Sequence, residues 1–240
     1  MSTNLPEYNR GVVRPVECLK AGWELIKDQY WLFMGIIIVG LLIGGAVPLG
    51  ILMGPMMCGI YLCLLRRLRG EPVTFELLFK GFDYFGESLI AALIQVVPIF
   101  VMMIIMYIVF FIGIMSSAAL SQNRRGEPPD PTAFFAFFGV MMVVFFVFLL
   151  LIMLISSFFV FSYLLIVDRK LSGLDAIKTS FNAVKANFGG VAGLMLLNMA
   201  LTFAGMLLCY IGALFVMPIG FAAWAIAYRQ VFRTSDGAAI

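Results

Sequence analysis

Few side chains in this sequence are able to do chemistry, and most of those are excluded by type before spacing is considered. There is no histidine, so the group that most often titrates near neutrality and ligates metals is missing. The 13 Asp and Glu residues all fall in polar stretches, so no carboxylate interrupts an apolar run to bind a proton or cation, as pumps and many transporters require. Cys18, Cys58, Cys63 and Cys209 lack CxxC spacing, and three lie in or beside apolar runs, which points to packing rather than to a disulfide framework or a zinc site. Ser116, Ser117, Ser156 and Ser157 lie in runs without Asp, Glu, Lys, Arg or His, so the sequence sets no base beside them to activate a nucleophile. Two amides remain inside apolar runs, Gln95 and Asn198. Such a group lines a path for a polar solute or makes an interhelical hydrogen bond, and the bond, about 0.6 to 2 kcal/mol, is the more frequent use.

The segments that would hold these residues are those of an integral membrane protein. The chain is 63% hydrophobic and 12% charged, with a mean hydropathy of +1.06, whereas soluble domains carry roughly a quarter charged residues. Four stretches hold no Asp, Glu, Lys or Arg: Gln29 to Leu65, Ser88 to Asn123, Pro131 to Val167, and Ala186 to Tyr228. Each exceeds the roughly 20 residues that cross a hydrocarbon core of about 30 Å. The first and last carry breakers, GGAVPLG at 44–50 and CYIG at 209–212, and read as helical hairpins. The two central stretches have no turn residue where a hairpin would reverse, and each reads as one long helix, tilted or projecting beyond the bilayer. Six spans result.

Alternating the loops gathers Arg10, Arg14, Lys20, Lys27, Arg66, Arg67, Arg69, Lys80, Arg169, Lys170, Lys178, Lys185, Arg229 and Arg233 on one face and leaves Arg124 and Arg125 on the other. The positive-inside rule makes the basic face cytoplasmic, with both termini there. An eight-span count would satisfy the charges equally, and the missing breakers argue against it. The polar first 28 residues lack the apolar core of a cleavable signal, so a retained N-terminus in a bacterial inner membrane is expected. The net charge of +3 follows from this topology and gives no support for nucleic-acid binding.

One block recurs three times. Val16, Leu19, Trp23, Ile26 and Tyr30 share their spacing with Phe75, Leu78, Phe82, Phe85 and Leu89, and with Leu174, Ile177, Phe181, Val184 and Phe188. The spacing is that of one apolar stripe on a helix. Glu17, Glu76 and Asp175 follow the first stripe position, where the helix dipole favours an acid, and Pro15, Thr74 and Ser172 suit helix starts. The chain therefore reads as an all-α bundle of six transmembrane helices, built as three repeats of an amphipathic interfacial helix plus a helix pair. The expected limits are a tail at 1–14, a single transmembrane domain at 15–233 with units at about 15–70, 74–168 and 172–233, and a tail at 234–240. Repeats one and three also align Lys20 with Lys178, Lys27 with Lys185, Pro55 with Pro218, and Arg66 with Arg229.

The segment GPMMCGIYLCLLRRLRGEPVTFELLFKGF (54–82), with LDAIKTSFNAVKANFGGVAGLMLL (174–197), resembles a broad group of uncharacterised bacterial six-helix integral membrane proteins. These are similar to the membrane domain fused to some glycerophosphodiester phosphodiesterases. The resemblance implies a helical membrane domain of unassigned role. It does not imply phosphodiesterase chemistry, since no soluble catalytic domain and no histidine are present.

The remaining features divide between binding and packing. Basic residues beside the interfacial stripes, Lys20, Lys27, Arg66, Arg67, Arg69, Lys178 and Lys185, are candidate contacts for lipid headgroups. Pro55, Pro98 and Pro218 would bend spans. Together with Gln95 and Asn198 they define the alternative, a transporter or channel for an apolar or neutral solute. Gly40 with Gly44, Gly50 with Gly54, and Gly189 with Gly193 allow close helix approach, within the chain or between copies. Phenylalanine is dense from Phe134 to Phe161, a surface for lipid or an apolar partner. The function expected is a non-enzymatic membrane protein, lipid-associated or a scaffold or accessory subunit of a membrane assembly. Its partners would be membrane lipids and other membrane subunits, with no cofactor and no metal.

Overall fold

The computed structural model describes residues 6–47, 50–122, 131–207 and 211–232, and everything below concerns these. The described part is helical, without a strand. Helix α1 (Pro15–Ile26) passes through a 3₁₀ turn (Lys27–Gln29) into α2 (Tyr30–Ala46), followed by α3 (Met53–Leu68) and a 3₁₀ helix (Phe75–Tyr84). Then come α4 (Phe85–Gln122), α5 (Pro131–Ser157), α6 (Ser162–Arg169), α7 (Gly173–Ala186), α8 (Phe188–Leu207) and α9 (Ile211–Val231). Five stretches are long and apolar enough to cross a membrane: Pro15–Ala46, Phe75–Ser116, Phe135–Arg169, Phe188–Leu207 and Gly212–Val231. This is a multi-pass membrane protein. Helix α3 is the exception, because its 16 residues rise only about 24 Å and its last turn holds Arg66 and Arg67.

Two compact units divide the chain. The main unit takes the residues up to Ile94 and from Ser157 onward, and the second runs from Gln95 to Ser156. The core of the main unit is built on α3 and α6, where Cys58, Ile60, Leu64, Leu164, Leu165 and Ile166 are fully buried. Phe161 lies edge-on to Trp224 and to Phe232, with Tyr228 tilted over both Phe161 and Phe232.

Three elements approach their neighbours through a small buried residue six positions after the start of their apolar stripe. A Cβ at Gly22 of α1 would stand 2.8 Å from the backbone nitrogen of Ala223 in α9. One at Gly81 of the 3₁₀ helix would run into the Pro55 carbonyl oxygen of α3 and stand 2.6 Å from Gly59 N. On α7 the small residue is Ser180, whose hydroxyl donates to Phe158 O at 2.7 Å and accepts from Phe161 N at 3.2 Å. The glycine pairs are used in the same way. Gly40 faces Ile60, Gly44 faces Met53, Gly54 faces the backbone of Ser88 and Gly193 faces Pro15, whereas Gly189 alone among them has open space around it.

Several expectations are corrected. The second amphipathic element is a 3₁₀ helix that turns into α4 at Phe85, with Gly81 packed on Gly59 of α3. The third apolar stretch, 131–167, is not one helix: it breaks over 158–161, where Ser180 takes the Phe158 carbonyl and the Phe161 N–H. The second stretch, 88–123, runs as one continuous helix through its described residues, as expected, with Pro98 inside α4. The first breaker begins later than its glycines suggest, since α2 runs through Gly44 and Gly45 to Ala46. Pro55 lies in the first turn of α3, where a missing N–H costs nothing, so it starts a helix and bends none. Pro218 lies inside α9. Arg124, Arg125, Arg233, Cys209 and the tail 234–240 fall outside the described residues.

The second unit holds the later turns of α4 and most of α5. A Cβ at Gly113 would stand 2.6 Å from a ring carbon of Phe137, and the Phe110 and Phe137 rings lie 6.4 Å apart. An open apolar groove of about 780 Å³ is lined by residues that include Met103, Tyr107, Phe110, Phe138, Met142 and Phe145.

Candidate functional site

The charged residues of the main unit gather where α1, α3, α6 and α9 end, and they divide into tied and free groups. The tied group is built around Asp168, in the last turn of α6, whose side chain is only 4% exposed. It accepts from the Arg69 guanidinium after α3, from the Tyr228 hydroxyl of α9 at 2.8 Å, and pairs with Arg169 at 3.4 Å. Arg229 of α9 donates to Leu68 O at 3.1 Å, and Arg67 of α3 donates to Leu25 O at 3.0 Å while facing Asp28 at 3.3 Å. These arginines cap carbonyls at helix C-termini, where the dipole favours positive charge. Arg66 pairs with Glu71 at 3.5 Å, and Lys27 pairs with Glu24.

An N-terminal strap closes the same end. Asn9 N donates to Val231 O at 2.9 Å, and Arg14 N donates to the side-chain oxygen of Gln230 at 3.2 Å. Asn187, buried at the α7–α8 junction, accepts from Val12 N at 3.0 Å and donates to Asn9 O at 2.8 Å and to Ala183 O at 2.9 Å. Asn187→Ala leaves Val12 N and Asn9 O without that partner and is expected to lower stability by about 2 to 3 kcal/mol. Thermal unfolding of the purified protein in detergent measures this, together with faster proteolysis within 6–14; an unchanged melting temperature would refute the role assigned to Asn187.

The free group is smaller. Lys20, Lys80, Lys170, Lys178 and Lys185 are exposed and pair with no acid among the described residues. Of the seven candidate headgroup contacts, Lys20, Lys178 and Lys185 therefore have their charge available, whereas Lys27 and Arg66 are paired locally with Glu24 and Glu71, and Arg67 and Arg69 tie one element to another. Beside the free lysines, each of the three amphipathic elements turns an aromatic ring outward at the same stripe position: Trp23 is 43% exposed, Phe82 39% and Phe181 46%. Lys20 precedes Trp23 by three residues and Lys178 precedes Phe181 by three, a spacing that puts each pair on one helix face.

The intramembrane candidates fall at separate places in the sequence. The Asn198 side-chain oxygen lies against Gly220, where a Cβ would stand 2.8 Å from it, so the amide marks the close approach of α8 and α9. Gln95 stands at the start of the second unit and Pro98 one turn beyond it in α4, whereas Asn198 and Pro218 belong to the main unit. No group of three or more acidic, Cys or His side chains that could hold a metal ion occurs among the described residues.

Asp168, Tyr228, Asn187 and Gln230 were not singled out from sequence. Asp168 gives one usable signal, an acid directly after the apolar run that ends at Val167 and directly before Arg169 and Lys170. No family model, no curated protein and no solved structure matches this chain.

Proposed function

We propose that this chain is a non-enzymatic protein of the bacterial inner membrane, associated with lipids and serving as a scaffold or accessory subunit of a membrane assembly. The observation that carries the reading is the pairing of outward aromatic rings with uncompensated lysines on elements that share one stripe pattern. An apolar ring that reaches the headgroup boundary while an ammonium stays wet beside it is the arrangement of an interfacial helix, and each basic residue near an anionic leaflet gains about 1 kcal/mol.

In this reading the chain crosses six times with both termini cytoplasmic, α3 serving as the sixth and shortest span. The three-repeat reading draws support from the way Gly22, Gly81 and Ser180 each seat their element on α9, α3 and the α5–α6 break. The resemblance to the six-helix family fits the same arrangement and adds no reaction. Cysteine labelling at Arg69→Cys and Arg124→Cys in sealed vesicles is expected to react from opposite sides; reaction from one side would overturn the topology.

Reconstitution into vesicles with and without anionic lipid tests the function. Thermal stability is expected to rise with anionic lipid, and Lys20→Gln with Lys178→Gln to remove most of the rise; indifference to lipid charge would refute the reading. The transporter alternative keeps one specific observation, the contact of Asn198 with Gly220 two residues beyond Pro218. Solute flux lost in Asn198→Ala, with folding intact, would favour it.

A further inference from the structure

We propose that α7 and the first turn of α8 form a binding place for a membrane lipid whose headgroup carries two phosphates. The inference rests on the reading above, that this end of the protein meets an anionic lipid surface, and narrows it to one lipid class and one place.

Two lysine–aromatic pairs follow one another there. Lys178 precedes Phe181 by three residues, and Lys185 precedes Phe188 by three. The lysines are seven residues apart, about 10.5 Å along the helix and on one face. Both are exposed, and neither meets an acid among the described residues. Asp175, the acid of this helix, is engaged at the N-terminus, where it accepts from Ser172 Oγ at 2.9 Å while that oxygen caps its N–H. The space between the lysines is floored by rings. Phe158 packs on Phe181 with centroids 4.7 Å apart and stacks on Phe188 at 6.4 Å, and Leu174, Phe181 and Phe188 remain open to the surroundings.

Helix α1 supplies an internal comparison. It carries the matching pair Lys20 with Trp23, and the 3₁₀ turn and first residue of α2 that follow carry Lys27 with Tyr30. The second is closed: Lys27 is paired with Glu24, and the Tyr30 hydroxyl donates to Phe215 O. One ammonium is free on α1 and two on α7. A phosphodiester carries one negative charge, so a headgroup with one phosphate leaves half of the charge of the two ammonium groups uncompensated, whereas two phosphates on a short bridge match both lysines, while the acyl chains lie over the ring floor. A soluble bisphosphate would meet the same cations, but exposed ion pairs alone hold little, and the rings would contribute nothing to it.

The whole chain, purified in uncharged detergent, is placed in phosphatidylcholine nanodiscs doped either with cardiolipin or with twice the molar amount of phosphatidylglycerol, so that phosphate charge is equal. Lipid retained on release is counted by native mass spectrometry, and melting temperatures verify folding. Wild type is expected to retain cardiolipin at least tenfold better. Lys178→Gln or Lys185→Gln should bring the two lipids to near parity, Lys178→Arg with Lys185→Arg should keep the preference, and Lys20→Gln should lower both lipids in proportion. Equal retention of the two lipids, with a preference over uncharged lipid intact, overturns this inference alone. No dependence on lipid charge overturns the underlying function. Glycerol 1,3-bisphosphate displacing cardiolipin at equal concentration overturns the assignment to a lipid. If the glutamine variants fail to fold, the wild-type comparison of the two lipids still decides.

Discussion

Replacing Gly81 by alanine is expected to prevent the main unit from folding, or to cost at least about 3 kcal/mol where protein is recovered. The added methyl would enter the space of the Pro55 carbonyl oxygen and stand 2.6 Å from Gly59 N and 2.9 Å from Gly59 Cα. All three atoms are backbone. Overpacking against flexible side chains costs about 1 to 3 kcal/mol because rotamers shift; here the only relief is to move the 3₁₀ helix off α3. That movement would uncover Leu77 and Leu78, both buried in the core, each worth about 1.5 to 3 kcal/mol. Gly86, the second residue of α4 and exposed, has nothing within 4 Å of its missing Cβ, and Gly86→Ala should be neutral or stabilise by up to about 1 kcal/mol. The fraction remaining monodisperse after heating in detergent separates the two variants. A Gly81→Ala protein that melts with wild type would show that α3 and the 3₁₀ helix are not in backbone contact.

Composition and charge-free runs make the helical membrane class legible, because a chain that buries this little charge has few other ways to satisfy its backbone in oil. The amphipathic stripes were legible too, but their role was not. Periodicity marks Val16, Trp23, Leu174 and Phe181 as one face, yet it does not say whether that face meets protein or surroundings. The structure turns these residues outward and packs Cys18, Gly22 and Ile26, or Ala176, Ser180 and Val184, against the bundle. Of these only Ile26 and Val184 belong to the stripes, and Gly22, Ala176 and Ser180 carry little hydrophobic signal of their own, so the buried side of each helix was the harder to read. The break at 158–161 was missed for a related reason: no Gly or Pro marks it, and the groups that stabilise it come from Ser180, distant in sequence. Charge counting likewise treats Lys20 and Arg69 as equals. Only their neighbours separate an ammonium left free from a guanidinium tied to Asp168.

That tie leads to the second large effect, in which Asp168→Ala is expected to destabilise the main unit by about 3 kcal/mol, with smaller costs for each of its partners. The carboxylate joins the ends of α3, α6 and α9 through Arg69 and Tyr228. Its own side chain is nearly enclosed, while that of Arg69 is 48% exposed. The two ends of the ion pair are therefore unequal. Removing the carboxylate strands the Tyr228 hydroxyl, at 2% residue exposure, and leaves a guanidinium facing an apolar gap. Removing Arg69 releases a side chain that water can replace, and a half-exposed partner is worth about 1 kcal/mol or less. Asp168→Asn keeps an acceptor for Tyr228 and should cost about 1 to 2 kcal/mol, and Tyr228→Phe about 1 kcal/mol. The expected order is thus Asp168→Ala, then Asp168→Asn, then Tyr228→Phe and Arg69→Ala together, with a double-mutant cycle between Asp168 and Tyr228 showing coupling. Thermal unfolding at fixed detergent and salt measures the series. If Arg69→Ala proves as costly as Asp168→Ala, attraction between the two charges, rather than satisfaction of a buried carboxylate, holds the three helix ends together.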